Sequence, residues 1–135
     1  MRIMAIDYGD ARTGVAVSDE SATLTGDAWV IQSRKIDDTA QSIVSEAQSR
    51  NVVCIIVGQP KNMDGSVGAR AEKSAQLADI IRSLCDIEIK LWDERLTTKS
   101  AHQVLNYSGK FGKKRKDTID AVAASLILEG YLGSL

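Results

Sequence analysis

The chain has 135 residues, enough for one domain that buries a core without disulfides or a structural metal. Its 44% hydrophobic and 26% charged residues exclude a disordered or fibrous chain, and its formal net charge of -1 excludes a polycation that coats nucleic acid indiscriminately. No apolar run approaches the roughly 20 residues needed to cross a bilayer, and MRIMAIDYGD meets an acid before any signal-peptide core forms, so the expectation is a cytoplasmic protein without a membrane partner.

Ile3 to Ile6 form an apolar run that stops at Asp7, followed by Tyr8 and Gly9. This pattern reads as a buried strand that delivers a carboxylate at its C-terminal end. Gly14 to Val17 resume after a short turn around Asp10 and Ala11, which predicts an antiparallel hairpin. Ala28 to Ile31 reads as a third, shorter strand. From Asp37 the texture changes, with Ile43, Val44 and Ala47 at helical spacing, and Val52 to Val57 is a buried strand closed by Gly58 and Pro60. Ala69 to Leu84 is helical, with Ala71, Ala75, Ala78, Ile81 and Leu84 near one face, and Ile87 to Trp92 makes a fifth strand. Thr97 or Thr98 caps a helix to about Tyr107. The last helix is expected from near Asp117, with Ile119, Val122, Ala123, Leu126 and Ile127 at the i, i+3, i+4, i+7, i+8 positions. Cys54 and Cys85 are far apart, lie in no CxxC pair and read as buried free thiols. The order predicts an α/β domain over residues 1–135, with a mixed five-stranded sheet flanked by helices.

Acids interrupt the apolar patterns at the ends of elements: Asp7 after the first strand, Asp93 and Glu94 after the fifth, and Asp120 within the last helix. Strand ends are where α/β proteins place their ligands. Asp117 and Asp120, three apart, fit one helical face. Carboxylates gathered at close range repel, so such a set implies a hard divalent cation, Mg²⁺ or Mn²⁺, held by oxygen ligands. Two ions about 3.5 to 4 Å apart activate a water and stabilise both oxygens when a phosphodiester is cut. Taken singly, each acid also has an ordinary use as a turn cap, an ion-pair partner or an exposed helix residue. Adjacent strand residues face opposite ways, which leaves Asp93 and Glu94 as alternatives for one ligand position. His102, the one histidine, lies among polar neighbours on a predicted helix and offers little to a zinc or triad mechanism. A basic run, Lys113, Lys114, Arg115 and Lys116, follows Lys110 between the last two predicted helices and is a candidate phosphate contact. Lys61 and Arg70 flank the turn Asn62-Met63-Asp64-Gly65, and Arg95 directly follows the acids; all three are candidates for holding a nucleic-acid backbone.

Four segments together resemble the YqgF family, also described as RuvX-like and related to RuvC: IDYGDARTGVAVSD, VGQPKNMDGSVGARAE, DERLTTKSA and KRKDTIDAVAASLILEGYL. They lie in order across nearly the whole chain, which makes them specific as a set. The resemblance implies a ribonuclease H-like fold and a nuclease of pre-16S rRNA 5′-end maturation, with junction resolution on DNA as the other proposal. It implies Asp7, Glu94 and Asp120 as catalytic acids and Asp117 as an outer candidate. Gln59, the segment at Gly26 and Asp27, and His102 depart from the family pattern; none touches the acidic set.

Two further readings stay open at this stage. Actin-like and sugar-kinase ATPases begin with a similar strand, acid and glycines, but need two large lobes. A non-catalytic nucleic-acid-binding module is the stronger rival, although degenerate copies typically lose acids and here all are present. Sequence leaves open RNA against branched DNA, endo- against exonucleolytic action, and a monomer against a homodimer.

Overall fold

The computed structural model describes residues 1–61, 64–94 and 112–135, with side chains in the last segment described from residue 119 onward. The elements in order are β1 (Arg2–Asp7), β2 (Arg12–Ser18), β3 (Thr25–Gln32), α1 (Ile36–Ser49), β4 (Val52–Gln59), α2 (Ala69–Leu84), β5 (Glu88–Asp93) and α3 (Gly112–Gly133). They form one five-stranded sheet in the order β3-β2-β1-β4-β5. The β1–β2 and β2–β3 pairs are antiparallel, whereas β1–β4 and β4–β5 are parallel. β1 is therefore the seam between an antiparallel and a parallel half.

Continuous apolar runs suit the two strands at that seam, because both of their faces are covered. Met4, Ile6, Ile55 and Val57 join Val15 and Val17 in a core with α1 and α2, through Ile43, Ala47, Leu77 and Ile81. Ile3, Ala5, Cys54 and Ile56 face the other way, onto Ala124, Ile127, Leu128 and Tyr131 of α3. Strand alternation thus assigns every position of β1, β2, β4 and β5 to an α1/α2 face or an α3 face.

The structure corrects three expectations. β3 is not a short strand: its 8 residues outrun β1, because an exposed edge strand carries polar residues such as Thr25 and Asp27 that hide its ends. The basic run Lys113 to Lys116 is not an interhelical loop but the first turns of α3, consistent with the good helix propensity of Lys and Arg. The buried stripe of α3 is Ala124, Ile127, Leu128 and Tyr131, so Ile119, Val122 and Ala123 of the expected face are only partly buried. The helix expected between Thr97 and Tyr107 lies outside the described residues, as does His102. Among the described residues, no helix is long and apolar enough to cross a membrane.

Candidate active site

The buried stripe of α3, extended one turn back from Ala124, reaches Asp120. On the sheet, Asp7 is directly opposite Gly14, so both face α3. A β-carbon on Gly14 would lie 2.0 Å from the carbonyl oxygen of Asp120, so glycine here lets helix and sheet backbones touch. Further along the same face, a β-carbon on Gly58 would fall 3.2 Å from Oε1 of Glu94 and 2.6 Å from Cδ1 of Ile127. Glu94 thus occupies space that Gly58 leaves free above β4.

Asp7 and Glu94, delivered by β1 and by the turn after β5, are hydrogen-bonded to each other across the end of β4. Burial pushes the Asp7 carboxyl up to about 7, reinforced by the charges of Glu94 and Asp120 and opposed by Arg70. Burial also raises Glu94, against the opposing effects of Arg70 and of the hydrogen bond from Asp7. The hydrogen bond raises Asp7 and lowers Glu94, so Asp7 holds the shared proton and Glu94 accepts it.

Of the two adjacent acids, Asp93 takes the other face. Ile89, four residues earlier, packs with α1 and α2, and alternation puts Asp93 on that side. Asp93 pairs in register with Gln59, and the Gln59 amide donates to the Ala71 carbonyl of α2 at 3.3 Å. The polar residue at position 59 thereby adds a second bond to a carbonyl of the first turn and ties β4 to that helix.

Asp120 is engaged by a residue that the sequence reading passed over. Arg12 Nε donates to Asp120 Oδ2 at 3.2 Å, and the two side chains are 32% and 27% exposed. Among the described residues, no three His, Cys, Asp or Glu side chains form a ready metal-holding group. The signal for Arg12 was its phase: it stands two residues before Gly14 on β2, hence on the α3 face.

Arg70, exposed in the first turn of α2, acts electrostatically on both Asp7 and Glu94. It also lines a cavity of about 210 Å³ with Tyr8, Gly9, Asp10, Ala69 and Lys73. Lys73 reaches the hairpin turn through a 3.2 Å ion pair with Asp10. Lys61 forms an isolated bridge with Val67 at the base of the loop after β4. Arg95 and the side chains of Lys113, Lys114, Arg115, Lys116 and Asp117 lie outside the described residues. A larger open groove of about 530 Å³, lined by Trp29, Asp38 and Glu46 among others, is on the other face of the sheet. Its two acids oppose a phosphate backbone.

Comparison with known proteins agrees with this architecture. Thermus thermophilus RuvC in complex with a Holliday junction substrate is similar in fold, with a TM-score of 0.67 at 10% identity, covering 99% of this chain and 96% of that one. The fowlpox virus resolvase, solved with Holliday junction DNA, superposes with a TM-score of 0.62 at 14% identity over 99% and 98% of the two chains. The fold is therefore ribonuclease H-like. A Halothermothrix orenii protein named "Putative pre-16S rRNA nuclease" is 46% identical over 132 residues, 98% of this chain and 94% of its own length. The family model described as RuvX, Holliday junction resolvase, matches residues 1–134. The chain belongs to the RuvX (YqgF) family of nucleases, hydrolases of phosphodiester bonds.

Proposed function

We propose that this chain is a divalent-metal-dependent nuclease that processes the 5′ end of pre-16S rRNA in the cytoplasm, with residues 1–135 acting as one catalytic domain. The observation that carries the reading is the hydrogen-bonded Asp7–Glu94 pair, half-buried at the ends of β1 and β5 with the charge of Arg70 acting on it. Two desolvated carboxylates that share a proton form a hard-oxygen donor set in want of positive charge, which fits Mg²⁺ or Mn²⁺.

Asp7, Glu94 and Asp120 are the ligands we assign, with Asp117 as an outer candidate; the phase of β5 favours Glu94 over Asp93. A two-ion site of this kind supplies an activated water and charge neutralisation at the phosphate. The chain's own residues do the rest. Asp7 and Glu94 are held by the sheet, Asp120 is brought to them by α3, and Arg70 faces the pair with a fork suited to a phosphate oxygen. Lys61, Arg95, Lys113, Lys114, Arg115 and Lys116 are assigned to the nucleic-acid backbone, where contacts position the substrate without reading its sequence.

Names of relatives support an RNA substrate. Resolution of branched DNA is the second reading, favoured by the family model's description and by the substrates of the structural neighbours. The test is to incubate the purified protein with a labelled pre-16S leader and with a four-way DNA junction side by side, with Mn²⁺ or with EDTA. Metal-dependent cutting of the leader supports the proposal, and cutting of the junction alone supports the second reading. Binding without cleavage of either would make the chain a non-catalytic module.

A further inference from the structure

Asp120 reaches the α3 face of the sheet already attached to a cation that belongs to the protein. Arg12 stands at the start of β2, two residues before Gly14, and Gly14 is opposite Asp7. Its guanidinium therefore shares the face that carries the acids, and it donates to Asp120 Oδ2 at 3.2 Å across 108 positions of sequence. The close approach of the Gly14 and Asp120 backbones fixes the spacing between the two elements.

We propose that Arg12 is a positioning residue that orients and compensates Asp120 beside Asp7 in the metal-free protein and is displaced from it when a divalent cation binds. The inference rests on the reading of these acids as a metal site. Three features support the exchange. Both side chains keep a share of solvent exposure, and a partly solvated ion pair is weak enough to open. A divalent ion carries twice the charge of a guanidinium and draws on Asp7 and Glu94 together. The helix that carries the carboxylate is clamped against β2 at Gly14, which confines the exchange to side chains. Arg12 thus keeps Asp120 oriented and compensated in the metal-free protein, at the expense of metal affinity.

The test is Mn²⁺ affinity by isothermal titration calorimetry on the wild type and on Arg12→Gln, Asp120→Asn and the double variant, with Asp7→Asn as the control for the site itself. Removing the competitor should tighten Mn²⁺ binding by roughly tenfold in Arg12→Gln, and the same change made on the Asp120→Asn background should have no such effect. Unchanged or weaker binding in Arg12→Gln overturns the proposal. If the wild type takes up no Mn²⁺, or Asp7→Asn takes it up equally, the metal-site reading itself fails. A second measurement needs no variant that must fold unaided. The Arg12 Nε–H resonance of the wild type, observed by NMR during a Mg²⁺ titration, should shift and lose exchange protection in step with metal binding. A resonance that stays in place while metal binds would show the pair to be permanent, which also overturns the proposal.

Discussion

The carbonyl oxygen of Asp120 occupies the place where a side chain on Gly14 would begin, 2.0 Å from the position of a β-carbon. Backbone cannot yield as a flexible side chain does. Gly14→Ala should therefore push α3 off the sheet, with a loss of about 3 kcal/mol or more of stability, at the upper end of overpacking costs. Chemical denaturation measures it. Stability equal to wild type would mean that α3 shifts freely, and the site's geometry would not depend on that contact.

Asp7→Asn preserves size and removes the negative charge assigned to holding the cation. RNA cleavage with Mg²⁺ or Mn²⁺ should fall to background while gel-shift affinity persists, because the proposed backbone contacts are assigned to the cationic residues. Cleavage retained near the wild-type rate would remove Asp7 from the mechanism. Loss of both binding and fold would make it structural.

The same residue sets a pH dependence in the metal-free protein. Its folded-state value of about 7 lies above the ordinary 3.8. A carboxyl raised in this way contributes stability fully below pH 3.8 and loses that contribution as pH rises through 7. Without metal, Asp7→Asn should consequently be more stable than wild type at pH 8, by roughly 5 °C in melting temperature or more, and should lose that advantage towards pH 4. Excess Mn²⁺ should reverse the order at pH 8 by stabilising only the wild type. A constant difference across pH would show that Asp7 titrates normally.

The four cations at the head of α3 directly precede Asp117 and lie within about two turns of Asp120. Replacing Lys113, Lys114, Arg115 and Lys116 by alanine should weaken nucleic-acid binding and flatten its salt dependence, by about 0.7 to 0.9 in log-log slope for each lost phosphate contact. The fold should survive, since alanine favours helix. A salt slope identical to wild type would show that these residues only face solvent.

Asp7 was legible in sequence because it ends an apolar run, and a strand that stops at an acid has one simple reading. The choice between Asp93 and Glu94 was not legible. β5 reads EIKLWD, where Ile89 is buried, Leu91 is 38% exposed and Trp92 packs on the opposite face, so hydrophobicity alone leaves its phase ambiguous. The hydrogen bond to Asp7 and the space above Gly58 identify Glu94 as the residue on the α3 face. The phase of β2 puts Arg12 on the α3 face, but an ion pair between positions 108 apart leaves no local pattern that names its partner. The start of α3 was misplaced because a run of lysines after a glycine resembles a solvated loop, although lysine is a good helix former.

The seam at β1 also bears on the order in which a growing chain gains its parts. The hairpin of β1 and β2 pairs neighbours in sequence and presents Asp7 early, whereas Glu94 waits for two parallel crossovers and Asp120 for the helix that follows them. Throughout most of synthesis the first carboxylate stands without its companions, and Arg12 without the acid it will hold. For the nuclease proposed above, with Asp120 among its ligands, this topology would act as a delay: cutting competence would arrive only when the final helix has docked.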